Sequence, residues 1–173
     1  MHLIPMFISK LNDLRILKVV QAIPSMPKSV TETEVDNFLE SKLNIQIATI
    51  DEKGYPMIHP IWFLYVKESG KIYTATPKMT KKVQNIKRNP DKIYFSIDDE
   101  NFPYKGVKGR AVAKISEDIQ KNLPIMEKII MKYLSTLEHP LAKMLMENTR
   151  KGIEIMIEIT PKFFSAWDFD KAM

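Results

Sequence analysis

Residues 71–97 read KIYTATPKMTKKVQNIKRNPDKIYFSI. Two short alternating segments, KIYTAT and KIYFSI, bracket a stretch with five cations (Lys78, Lys81, Lys82, Lys87, Arg88) and no acid between Thr76 and Pro90. The flanks read as strands. Between them, Thr80 is a suitable N-cap, Val83 and Ile86 share one helical face, and Pro90 stops the helix near Asn89. The helix therefore opens on Lys81 and Lys82, at the pole that already carries roughly +0.5 charge and free N–H groups, where each cation costs a few tenths of a kcal/mol. An anion reverses that sign, and a phosphate suits a hydroxyl, free amides and two ammonium groups. The competing reading is a solvated charge run. Lys87 and Arg88 lie at the favourable end and need no ligand.

Outward from this stretch the pattern is mostly strand. Thr31 and Glu34 have capping-box spacing ahead of Val35, Phe38 and Leu39, which predicts a short helix. NIQIATI follows as a strand, and YPMIHPIWFLYV as one longer strand with Met57, His59, Ile61, Phe63 and Tyr65 on one face. KGVKGRAVAKI alternates Val107, Ala111, Ala113 and Ile115 with Lys108, Arg110 and Lys114, giving a half-buried strand with a wet basic face. Residues 116–150 are helical by pattern, with Pro124 and Pro140 as breaks or starts. GIEIMIEIT then sets Ile153, Ile155, Ile157 and Ile159 against Glu154, Met156, Glu158 and Thr160. Six strands with short turns predict a mainly β protein, a small antiparallel barrel closed or nearly closed, with flanking helices.

The totals fit one domain: 173 residues, 45% hydrophobic, formal net charge +5. Residues 1–28 form an N-terminal appendage, or an over-extended reading frame beginning properly at Met26, and residues 29–173 form the domain. No cysteine is present, and His2, His59 and His139 have no ligand-like spacing, so neither a disulfide framework nor a metal site is expected. No apolar run approaches the roughly 20 residues of a membrane helix, and a cytoplasmic protein is expected. The positive charge favours anionic partners. Only Arg15, Arg88, Arg110 and Arg150 are arginine, which argues against base readout in DNA, and nucleic acid is not the expected partner.

The order of hairpin, strand, basic helix and strand resembles the pyridoxamine 5'-phosphate oxidase-like family of FMN-binding split barrels, especially its smaller flavin-binding branch. In the oxidase a Tyr-Thr pair ends one strand, Ser-Arg-Lys opens the next helix, and Asn-Pro follows; here stand Tyr73-Thr74, Thr80-Lys81-Lys82 and Asn89-Pro90. The family's proline with a tryptophan six residues later is matched by Pro161 and Trp167. The likeness covers roughly residues 31–169.

This resemblance implies a six-stranded antiparallel split β-barrel and a homodimer with FMN at the subunit interface. It implies that Thr80, Lys81 and Lys82 hold the phosphate, that Tyr73, Thr74 and the strand His59, Pro60, Ile61 and Trp62 line the flavin, and that Trp167 covers it from the other chain. His59 stands where the oxidase has an arginine and Leu64 where it has a lysine. The oxidase's Arg-Leu-His-Asp-Arg substrate segment is replaced by Asp168-Phe169-Asp170-Lys171. The expectation is therefore a flavin-dependent oxidoreductase for an unknown small molecule rather than pyridoxamine phosphate, with no catalytic residue named. Two alternatives stay open: a non-catalytic flavin carrier or sensor, and a deazaflavin-dependent reductase whose coenzyme tail would meet Lys108, Arg110 and Lys114.

Overall fold

Residues 18–172 are described by a computed structural model of the chain. The expected first helix, α1 (Glu32–Leu39), forms with both halves of its capping box: the Thr31 N–H donates to Glu34 Oε2 at 2.8 Å, and the Glu34 N–H to Thr31 Oγ1 at 3.3 Å. Such a cap contributes about 1 kcal/mol. Val35 and Leu39 on its buried face are fully enclosed.

Strands β2 (Ile45–Ile50) and β3 (Pro56–Ile61) pair antiparallel across a turn in which Gly54 takes a φ of 86°. Asp51 Oδ1 accepts from the N–H groups of Lys53 and Tyr55 there, at 2.9 and 2.8 Å. The single long strand expected over residues 55–66 is instead two. After Ile61 the chain breaks at Trp62 and Phe63, and β4 (Leu64–Val66) pairs with β5 (Lys71–Pro77).

That break shapes the molecule. The main sheet runs β3-β2-β6-β7-β8-β5-β4, where β6 is Ile93–Asp99, β7 Lys105–Ser116 and β8 Glu154–Pro161. β3 and β4 are its two edges, yet only two residues join them, and two residues span about 7 Å. The sheet must curl until its edges meet. Counting the bent strand once, the ring has the six expected strands, and every pairing in it is antiparallel. The mainly β split-barrel reading therefore holds.

Two further strands lie outside the six. β9 (Phe164–Asp168) pairs antiparallel with the first half of β7, and β1 (Val19–Gln21) pairs parallel with β9. Of the expected appendage, residues 1–17 lie outside the described residues. The part from Lys18 is knitted into the sheet, with the Phe164 N–H donating to the Lys18 carbonyl at 2.8 Å.

The barrel interior is filled by Ile45, Ile47, Ile72, Ile93, Phe95, Ile97, Ile157 and Ile159, all at most 1% exposed. The basic helix, α2 (Lys81–Arg88), packs Val83 and Ile86 against β2 and β7. The helical region divides at the expected proline into α3 (Ile119–Leu134) and α4 (Pro140–Arg150), with His139 capping α4 through Nδ1. Pro124, by contrast, sits within α3. These two helices build a second apolar cluster around Met126, Ile129, Ile130, Ala142 and Met156. Met156 lies on the same face of β8 as Glu154 and Glu158, opposite the isoleucines, and is fully buried. Both faces of β8 are thus covered, except that Ile153, just before it, is exposed.

Candidate functional site

Four of the five cations in the basic stretch find acids from elsewhere in the chain. Lys78 and Lys87 converge on Glu117, at 2.5 and 3.1 Å, and Lys81 and Arg88 approach Glu52, at 4.0 and 3.6 Å. Glu52 comes from the β2–β3 turn and Glu117 from the end of β7. Among the described residues Lys82 has no ion pair within 4.0 Å. It is half-buried, and loss of hydration lowers its pKa against a smaller opposing pull from Glu154.

Thr80 is the N-cap of α2, but its side chain does not cap the helix; its hydroxyl lies 3.4 Å from that of Thr76. The first-turn N–H groups of α2 therefore have no capping side chain, and the hydroxyl retains bonding capacity.

Lys82 lines a cavity of about 490 Å³. The end of β3 and the break after it supply Pro60, Ile61 and Trp62, and β5 supplies Ala75, Thr76 and Pro77. Met126 and Ile129 of α3 with Leu141 and Leu145 of α4 make an apolar wall, and Glu154 of β8 adds a carboxyl. Trp62 is held by Tyr133, whose ring stacks on it at 4.7 Å and 4°. The Tyr133 hydroxyl donates to the Leu43 carbonyl at 2.6 Å and accepts from the Phe63 N–H at 3.1 Å. Burial pushes the pKa of that hydroxyl up to about 12, so it stays a donor at any working pH.

His59 belongs to a polar relay between the sheet and α2. Its Nε2 lies 3.1 Å from Thr49 Oγ1, which also accepts from Asn85 Nδ2 at 3.1 Å. Thr49 and Asn85 are at most 1% exposed. Because the Asn85 amide donates to Thr49, the hydroxyl proton is free to go to Nε2, leaving Nδ1–H as the donor of a neutral ring. Burial first, and the charge of Lys82 second, lower the pKa of His59.

The other residues named from sequence fall elsewhere. Lys81 points outward toward Glu52. The Tyr73 hydroxyl donates to Glu158, 3.2 Å away, beside the Lys71–Glu158 ion pair. Thr74 is sealed in the barrel, with its hydroxyl unpartnered among the described residues. Trp167 packs its ring against Gly106 and lines a separate cleft of about 300 Å³ with Phe38, Lys105 and Asp168. The fold thus brings Pro60, Ile61, Trp62 and Lys82 into one cavity, with Thr80 at the head of its helix and His59 linked to Asn85 on the same helix. Thr49, Asn85 and Glu154 were missed. An Asn on the inner face of an amphipathic helix was a usable signal for the relay; Glu154 gave none.

The comparisons agree with this architecture. The family model for pyridoxamine 5'-phosphate oxidase matches residues 31–162. A conserved hypothetical protein from Mycobacterium tuberculosis superposes with a TM-score of 0.71 at 22% identity, covering 83% of this chain and 88% of that one. An F420 reductase superposes at 0.62 with 25% identity, over 79% of this chain and 98% of that one. A FAD-binding protein from Mesorhizobium loti gives 0.58 at 14% identity, over 80% and 95%. No curated protein matches the sequence. With the ring of strands, the basic helix and most of its length matched, the chain belongs to the pyridoxamine 5'-phosphate oxidase family.

Proposed function

We propose that the cavity beside Lys82 binds a flavin-type cofactor, FMN, and that the protein is a flavin-dependent oxidoreductase acting on a small molecule. One observation carries the reading: of five clustered cations, the one without an acid partner among the described residues is half-buried on the cavity wall, in the first turn of a helix whose N-terminus has no side-chain cap. The donor set fits a phosphate: the Lys82 ammonium, the Thr80 hydroxyl and the first N–H groups of α2. The apolar wall of α3 and α4, with Trp62, suits a flat ring system. A bound flavin would supply hydride or electron transfer, and the chain orients it, withholds water and sets the local charge. His59, whose pKa burial and the charge of Lys82 both lower, offers a hydrogen-bond donor without adding another cation.

The homodimer reading rests on Trp167. Within one chain it lines a cleft distinct from the Lys82 cavity, so it covers the ring only from a second copy. A deazaflavin in the same cavity is the second reading, favoured by the likeness to the F420 reductase. Lys108, Arg110 and Lys114 are exposed on β7, where a longer acidic tail would find cations. The visible spectrum of the purified protein and the mass of its released chromophore test both readings. A yellow protein releasing FMN supports the first and a deazaflavin the second; a colourless protein that takes up neither refutes both. Turnover with NADH or NADPH and an acceptor separates an enzyme from a carrier.

A further inference from the structure

Glu154 is the first residue of β8, and alternation pairs it with Glu158 on one face. Glu158 holds Lys71 at 2.7 Å and Tyr73 at 3.2 Å. Glu154 is 6% exposed, and among the described residues no hydrogen bond or ion pair reaches its carboxyl. It lines the same cavity as Lys82, and that ammonium lies beyond ion-pair distance. An ionised carboxylate there has lost most of its water without gaining donors.

The surroundings supply little else. Lys78, next to β5, is held by Glu117, and Arg150 and Lys151 at the end of α4 are held by Glu147. α3 and α4 present Met126, Ile129, Leu141 and Leu145 to the cavity. His59 lies within the influence of Lys82 but does not act on Glu154. Burial raises the pKa of Glu154, and Lys82 offsets part of that rise. A second negative charge in this cavity would repel the carboxylate, whereas the neutral acid has an O–H to donate.

We propose that Glu154 takes up a proton when an anionic group binds beside Lys82, and as the neutral acid donates a hydrogen bond into the cavity. The inference rests on the cofactor reading above and adds to it a carboxyl that accommodates an anion by changing its own charge. The proton comes from solvent, with up to one taken up per ligand bound.

The test is calorimetric titration of FMN into the wild-type protein and Glu154→Gln, across pH and in two buffers of different ionisation enthalpy. The wild type is expected to take up more protons than the variant, by up to one. Its FMN affinity should weaken more steeply with rising pH, with an added slope of up to about tenfold per pH unit, the limit for one linked proton. The phosphate's own titration is common to both proteins and cancels. Equal proton counts and equal pH slopes overturn the inference while leaving the cofactor reading intact. FMN that binds neither protein at any pH overturns both. Glu154→Met, similar in volume and uncharged, serves the same comparison should the glutamine variant not fold.

Discussion

The Lys82 ammonium and the Glu154 carboxyl face one cavity from α2 and β8, each acting on the other's ionisation, without closing to an ion pair. Two oppositely charged groups kept apart in a half-dry cavity are poorly compensated, and an anion with a proton completes the set.

In the absence of ligand, Glu154 makes stability depend on pH. The folded-state pKa of Glu154 lies above its ordinary value of 4.5, mainly through burial, so the folded chain holds its proton more tightly. Stability then falls as pH rises from 4.5 through the raised value. Glu154→Gln removes that fall, and its Tm should exceed the wild type's near pH 8 and converge with it near pH 4.5. Equal Tm values at both ends would refute the buried, uncompensated carboxyl.

Tyr133 holds the break between β3 and β4 through Leu43, Phe63 and Trp62. Tyr133→Phe keeps the stack and leaves a carbonyl and an N–H without their partner. A loss of about 1–3 kcal/mol is expected in urea unfolding, with the m value unchanged.

His59 gives a pH signature of opposite sense to a surface histidine with a carboxylate partner. Burial depresses its folded-state pKa below 6.5, so the unfolded chain binds the proton more readily. The stability it contributes is present above pH 6.5 and is lost as pH falls through the depressed value. Thermal unfolding from pH 7.5 to 5 should show the wild type losing Tm faster than His59→Gln; parallel curves would contradict the neutral ring.

Gly106 is glycine because the Trp167 ring occupies the place of a side chain: a Cβ there would come within 2.8 Å of its Cη2 and 2.7 Å of the Ile97 carbonyl oxygen. Gly106→Ala should displace the indole, shift its fluorescence and cost about 1–3 kcal/mol. An unchanged emission spectrum would mean that the ring is not seated there.

The sequence made the six strands legible because each alternates over a half-buried face, and made α2 legible through Thr80, Val83, Ile86 and Pro90. It hid the break at Trp62 and Phe63, because alternation from Met57 to Tyr65 runs through it without a turn residue. The cause is tertiary: β3 and β4 pair with different neighbours, and Tyr133, far along the chain, bonds at the gap. Glu154 was hidden for a related reason. Beside Glu158 it reads as solvent-facing, and only the packing of α3 and α4 over β8 turns that face inward, a fact hinted at by Met156 alone. In the basic stretch the count of cations was visible, but which of them were already neutralised depended on Glu52 and Glu117, brought in by the fold.

The most direct measurement is FMN affinity, by quenching of flavin fluorescence, for the wild type, Lys82→Ala and Lys81→Ala, with folding checked by circular dichroism. A charge-assisted contact contributes about 1.5–3 kcal/mol, so Lys82→Ala should weaken FMN binding by roughly 10- to 150-fold, and Lys81→Ala, which removes an exposed side chain, far less. A folded Lys82→Ala protein that binds FMN as tightly as the wild type would contradict the assignment of Lys82 to the phosphate.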